Sequence, residues 1–248
     1  MYRFLYVLVL SFVCVFVVTA ANGQQADSTA KEADTDAPTP RTKYIPGHQF
    51  TVGVDVFQAA MNNLHTYKTT YEGELSYYLK NEYYLVVDAG WGGSNVDYPD
   101  LKYTTTNYFS RLGFNKSILY RESATDWDMM FIGLRAAGAG IARSSATYST
   151  TDSVWGNSVG VTGAQNFAAI WAEVTTGMRV ELLHGVMAGW NIRGKFLMNG
   201  RSFDNLAPLH IAGFGKGDKS ANFDFNLYLC YALRWDRKTR AVPDAGKK

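Results

Sequence analysis

Apolar and polar side chains alternate with a period of two along eight stretches: 49–58, 69–79, 83–92, 107–115, 128–140, 168–182, 185–197 and 222–235. A two-residue period places successive side chains on opposite faces of an extended backbone, so the pattern predicts eight strands. Most of them match or slightly exceed the roughly nine to eleven residues with which a tilted strand crosses a bilayer. No stretch shows a helical period and no internal repeat is present.

The two faces of these strands differ sharply. One carries Val52 and Val54, Leu75 and Tyr77, Leu85 and Val87, Leu112 and Phe114, Ile132 and Leu134, Val174 and Met178, Trp190 and Ile192, and Leu227 through Trp235 at alternate positions, with no charge among them. The other collects Asp55, Glu72, Glu74, Asp88, Arg111, Arg135, Glu173, Arg179, Glu181, Arg193, Lys195, Asp224 and Arg234. A soluble barrel turns its polar face outward. A barrel in lipid must do the reverse, because Arg or Lys near the bilayer midplane costs about 2–4 kcal/mol. Tyr71, Tyr83, Trp91, Tyr108 and Trp235 lie near strand ends, where interfacial aromatics belong. The expected fold is therefore an all-β, eight-stranded antiparallel up-and-down transmembrane barrel, apolar outside and polar inside.

Connections support this reading. Asn81 separates the second and third strands, and Leu183-His184 the sixth and seventh. By contrast 93–106, 141–167 and 198–221 are long and polar. Outer-membrane barrels alternate short periplasmic turns with longer outer loops, which puts both termini on the periplasmic side. The segment 116–127 is longer than a short-side turn should be.

The ends and the composition add location. Arg3, the apolar run Phe4 to Val18 and the small-residue site Val18-Thr19-Ala20 read as a signal peptide cleaved near Ala20. Cys14 does not make a lipoprotein site, since Val13 precedes it and the apolar run continues beyond. The predicted organisation is a signal at 1–20, a flexible periplasmic linker at 21–46, the barrel at 47–235 and a polar tail at 236–248. Removing Arg3 lowers the formal charge from +2 to +1, a balance that implies no nucleic-acid partner. Aromatic residues reach 15% and glycine 23 positions, yet mean hydropathy is only -0.16, as expected of alternating strands. Cys230 is then the one cysteine left, a packing residue with no partner for a disulfide.

Candidate chemistry is sparse. Eight strands leave an interior that side chains can fill, and the inward face carries seven acids and six bases. Asp55, Glu72, Glu74, Asp88, Arg111, Arg135, Glu173 and Arg179 are the candidates for a lumen charge network, structural or ion-conducting. Trp155, Phe203, His210 and Phe214 are candidate outer-loop contacts for an external ligand. An enzyme acting on lipid would need a base beside a nucleophile, and only His210 with Ser202 and Asp204 could supply one. Gly213-Phe214-Gly215-Lys216-Gly217 lacks the spacing of a phosphate loop and reads as a flexible loop tip. No catalytic residue, metal-ligand cluster or cofactor motif is identified.

The segments Gly53-Val54-Asp55-Val56-Phe57, Ile132-Gly133-Leu134-Arg135 and Trp171-Ala172-Glu173 resemble an uncharacterised family of outer-membrane β-barrels, a domain of unknown function from Bacteroidota-type bacteria, over about residues 46–235. The resemblance implies an outer-membrane barrel and supplies no activity. The terminal alternation Tyr231, Leu233, Trp235 is similar to the signal read by barrel-assembly machinery, here followed by a tail. The combined expectation is a non-enzymatic surface protein with a plugged lumen and long binding loops, in contact with outer-membrane lipid. The alternatives are a membrane-embedded lipid-modifying enzyme and a narrow gated pore.

Overall fold

Eight strands close on themselves in the computed structural model, which describes residues 42–45, 47–64, 67–119, 126–152, 156–203, 206–235 and 240–243. The barrel strands are β2 (His48–Asp55), β3 (Lys68–Lys80), β4 (Tyr83–Asp97), β5 (Leu101–Ser117), β6 (Met129–Arg143), β9 (Gln165–Leu183), β10 (Val186–Leu197) and β11 (Ala221–Trp235). Each pairs antiparallel with its neighbours, β4 pairs with β5, and the first strand β2 closes the ring against the last, β11. Outside the ring stand the hairpin β7 (Ala146–Asp152) and β8 (Gly156–Thr162), and the short pair β1 (Thr42–Ile45) and β12 (Arg240–Pro243). The linker and tail expected at 21–46 and 236–248 thus contribute a small two-stranded sheet. The signal at 1–20 and its cleavage site lie outside the described residues.

Burial follows the alternation strand by strand. On β6 the order from Met129 is strictly buried then exposed as far as Ala137, and on β9 it holds from Phe167 to Arg179. Outward large apolar side chains, such as Val54, Leu75, Leu112, Ile132, Leu134, Ile170 and Leu229, are all exposed, while Asp88, Arg111, Asn107, Trp171, Glu173, Arg193 and Asn226 are almost wholly buried. The molecule is apolar without and charged within.

Four boundaries differ from the sequence reading. The first strand ends at Asp55 instead of 58. Its carboxylate accepts hydrogen bonds from Phe57 N at 3.0 Å and Gln58 N at 3.1 Å and so caps the helix α1 (Val56–Asn62). The segment 93–106 is not a loop, since β4 and β5 remain paired to Asp97↔Lys102. Backbone ladder bonds propagate there although the outward residues turn polar. The segment 141–167 extends β6 and β9 and carries the β7–β8 pair, whose base pairs with β5 at Leu101↔Tyr148. The segment 198–221 turns inward, as described below.

Two tight turns lie near the expected places, the second at His184–Gly185 because Leu183 still belongs to β9. Asn81 and Glu82 have φ of 53° and 65°, the pair of left-handed residues that a two-residue hairpin of matching twist requires. The over-long connection near 116–127 has a structural explanation. Trp127 enters the end of the barrel where β2 begins and β11 finishes, packing with Met187, Tyr228, Cys230 and Ala232 and edge-on to Tyr78. Cys230 is buried in that cluster as a free thiol. Residues 120–125 lie outside the described residues.

Candidate functional site: the charged lumen and the loop docked on it

Four carboxylates (Glu72, Glu74, Asp88 and Glu173) and four guanidinium groups (Arg111, Arg135, Arg179 and Arg193) occupy the middle of the lumen, all buried. The alternation of β3, β4, β5, β6, β9 and β10 aims each of them inward. Glu72 Oε1 sits 2.7 Å from both Arg111 and Arg193 and accepts a hydrogen bond from the Tyr228 hydroxyl. Glu173 Oε1 accepts from Arg111 Nε at 2.8 Å and from Trp171 Nε1 at 2.6 Å. Arg135 joins Asp88 to Glu74, the latter at 3.3 Å, and Arg179 also donates to Glu74. The charges balance, so the network presents opposite signs to one another and no uncompensated excess to a passing ion.

Aromatic faces complete the solvation. Arg111 stacks over Phe109 at 4.6 Å, Arg193 over Tyr228 at 5.6 Å and Arg179 over Phe131 at 5.5 Å, contacts that stabilise a desolvated guanidinium. Inward glycines make room for these side chains. A Cβ on Gly113 would stand 2.0 Å from the Leu134 carbonyl and 2.7 Å from Arg135, and one on Gly189 2.6 Å from Arg179 Cγ. Asp88 Oδ1, Arg135 Nε, Glu173 Oε2 and Arg193 Nε find no hydrogen-bond partner among the described residues.

The sequence reading placed all eight network candidates on the inward face, and the structure brings seven of them together. Asp55 stands apart, at the mouth of the barrel that carries the long loops. There it caps α1 and accepts from Asn226. Arg193 and Tyr228 complete the network. Arg193 shares the inward parity of the other strand charges, and Tyr228 carries no signal in the sequence beyond that parity. The three segments that carry the family resemblance each deliver a lumen-facing charge: Asp55, Arg135 and Glu173.

The segment 198–220 corrects two expectations. Gly213–Gly217 is not an exposed loop tip: Phe214 is 1% and Phe203 6% exposed, so neither is an outward contact. They pack with Ile211 and Ala212 against Phe109, Ile141, Phe167, Ala169 and Trp171 of the barrel wall. The loop is held by its backbone. The Gly213 carbonyl accepts from Arg111 at 2.8 Å and Lys195 at 2.7 Å, and the Leu206 carbonyl from Arg143 at 3.0 Å. Gly213 has φ of 81°, and a Cβ there would stand 2.6 Å from the Phe109 ring, so glycine is required on both counts.

His210 lies in the same docked loop, with Nε2 3.2 Å from Thr70 Oγ1 and its carbonyl accepting from Asn107. Burial, with Lys68 and Lys195 adding to it and Asp224 opposing, pushes its imidazole from 6.5 down to about 4. Asp204 and Trp155 lie outside the described residues, as does His65, and the side chain of Ser202 is likewise not described. Thr70 is therefore the partner of His210 among the described side chains. His48 is at the opposite end, in a cluster of three mutually stacked rings with Tyr77 and Trp235 on the outer face, and His184 is in the β9–β10 turn. Among the described residues no group of three metal-ligating side chains converges.

Residues 1–238 match the family model described as a domain of unknown function, DUF6048, a wider span than the resemblance over 46–235 suggested. Among solved structures the chain is similar to the N-terminal β-barrel domain of Pseudomonas aeruginosa OprF. That likeness has 10% identity, covers 76% of this chain and 99% of that one, and has a TM-score of 0.30. No curated protein matches the sequence.

Proposed function

Since the chain belongs to the DUF6048 family, a domain of unknown function, we propose its role from its geometry: a small outer-membrane barrel with a closed lumen, non-enzymatic, that presents its long loops at the cell surface. One observation carries this reading. All eight strands expose large apolar side chains outward while charged residues are paired inside. A belt of that size is unfavourable in water and costs nothing against lipid tails. Among the described residues no helix is long and apolar enough to cross a membrane, so the strands are what would cross.

Closure of the lumen is supported at three levels. Trp127 fills the end where β2 begins, the balanced network fills the middle, and the docked loop fills the other end. This favours a plugged scaffold over a gated pore. Against a lipid-modifying enzyme stands the position of His210, inside the mouth beside Thr70. The surface would then be formed mainly by β7–β8, whose Val159 is 72% and Val161 69% exposed. An external ligand for this hairpin, passage through barrel-assembly machinery and signal cleavage near Ala20 belong to the same reading.

Cysteine labelling tests the location and the orientation together. In intact cells a membrane-impermeant maleimide should modify Val159→Cys in the β8 hairpin, and His184→Cys in the β9–β10 turn only after the outer membrane is opened. Equal labelling of both in intact cells, or of neither, would count against the reading.

A further inference from the structure

Between the docked loop and the barrel wall is a cavity of about 270 Å³ lined by Gln58, Lys68, Thr70, Lys195, His210 and Lys216, with Glu72 and Asp224 on its walls. Its charges are unequal. Glu72 is already held by Arg111 and Arg193 at 2.7 Å each. Asp224 is held by Lys195 at 2.6 Å and accepts from Gln58 at 3.3 Å. Lys68 and Lys216 line this same space, and neither forms an ion pair with a carboxylate among the described residues, since Asp224 is taken up by Lys195. Two like charges facing one space are costly together and become favourable once an anion lies between them.

We infer that this cavity is a binding site for a phosphate group, held between Lys68 and Lys216. Ammonium groups are compact charges with rotatable donors, which suits a tetrahedral oxyanion approached from two sides. The Thr70 hydroxyl and the Gln58 amide line the same space and could serve one further small polar group. The volume lies just below the range of about 300–1,000 Å³ usual for drug-sized ligands, so the occupant is a small phosphorylated molecule or the headgroup of a phosphorylated lipid. The site is built jointly by β3, β10, β11, α1 and the docked loop. A bound phosphate would therefore tie the loop to the wall. This inference goes beyond the proposed surface role and does not depend on it, since binding can be measured in detergent.

Titration of inorganic phosphate into the purified full-length protein in lipid-free detergent, followed by calorimetry, tests the site. Saturable binding is expected, weakened at least tenfold in Lys68→Gln and in Lys216→Gln and unchanged in Lys102→Gln, whose exposed ion pair with Asp97 lies elsewhere. The same variants in nanodiscs with and without phosphatidylglycerol separate the two sources. Binding of free phosphate assigns a soluble ligand. Lysine-dependent retention of the phospholipid, with no response to free phosphate, assigns a headgroup. Binding that survives both lysine substitutions, or no binding of either probe by wild type, overturns the inference. Retention of the unboiled compact band by each variant separates loss of the site from loss of the fold.

Discussion

Glu74 holds two guanidinium groups at once, Arg135 at 3.3 Å and Arg179 at closer range. Replacing it by Gln leaves Arg179 without a carboxylate partner in a place where water is scarce. Breaking one side of a buried ion pair costs about 3–5 kcal/mol, whereas replacing both partners by apolar residues can be nearly neutral. Glu74→Gln should therefore lower the urea unfolding midpoint in detergent by much more than the double variant Glu74→Leu/Arg179→Leu. Equal midpoints for Glu74→Gln and wild type would remove the network from the account of stability. His210 makes a second residue-scale prediction. Its imidazole is held neutral, with its titration moved from 6.5 to about 4, so the undocked loop binds more protons than the docked one between those values. Docking is thus at full strength above about pH 6.5, weakens as the pH falls and is weakest below about pH 4. Hydrogen exchange at residues 206–217, corrected for intrinsic rates, should be faster at pH 5 than at pH 7 in wild type. It should lose that dependence in His210→Gln, and a flat profile in wild type would contradict the assignment.

At the scale of elements, the strands were legible wherever one face is apolar and the other polar, because a one-residue slip would send charges such as Arg135 or Glu173 to the outer face. They were not legible at 93–106. There Asn95, Asp97, Lys102, Thr104 and Thr106 make the outward positions polar, while Ser94, Val96, Tyr103 and Thr105 continue the buried face. The helix α1 was missed because seven residues carry too short a periodicity to stand out, although Asp55 ahead of Val56 is a cap-type residue. The docked loop was missed for another reason. Its glycines and Lys216 have the composition of a solvent-exposed tip, and its burial depends on backbone carbonyls meeting Arg111 and Lys195 from distant strands. These differences make the β7–β8 hairpin the most separable element among the described residues: its ladder with the barrel is short, at the end of β5, and beyond that Ala146 packs on Val96 and Tyr103. Deleting 144–162 should leave a folded, heat-modifiable barrel and abolish binding of any surface partner, read as cell-surface pull-down of that partner. Loss of the compact form on deletion would show that the hairpin is part of the barrel's stability.

For the whole molecule, the closed antiparallel ring was readable from eight alternating segments, and so was the inward destination of the charges. The pairing among those charges was not, since the contacts join residues far apart in sequence: Arg179 to Glu74 across 105 positions and Tyr228 to Glu72 across 156. Nor could alternation alone say what fills the ends of the lumen. Trp127 and the loop bearing Phe214 belong to connections, where periodicity carries no instruction. The resulting molecule has an apolar exterior over charge-balanced contents, the arrangement on which the proposed membrane location rests. Gel mobility of outer-membrane fractions with and without boiling tests this most directly. The account predicts a protein found in that fraction, running compact when unboiled and near its full mass when boiled. A protein recovered from the soluble periplasm, or one whose mobility is indifferent to boiling, would contradict it.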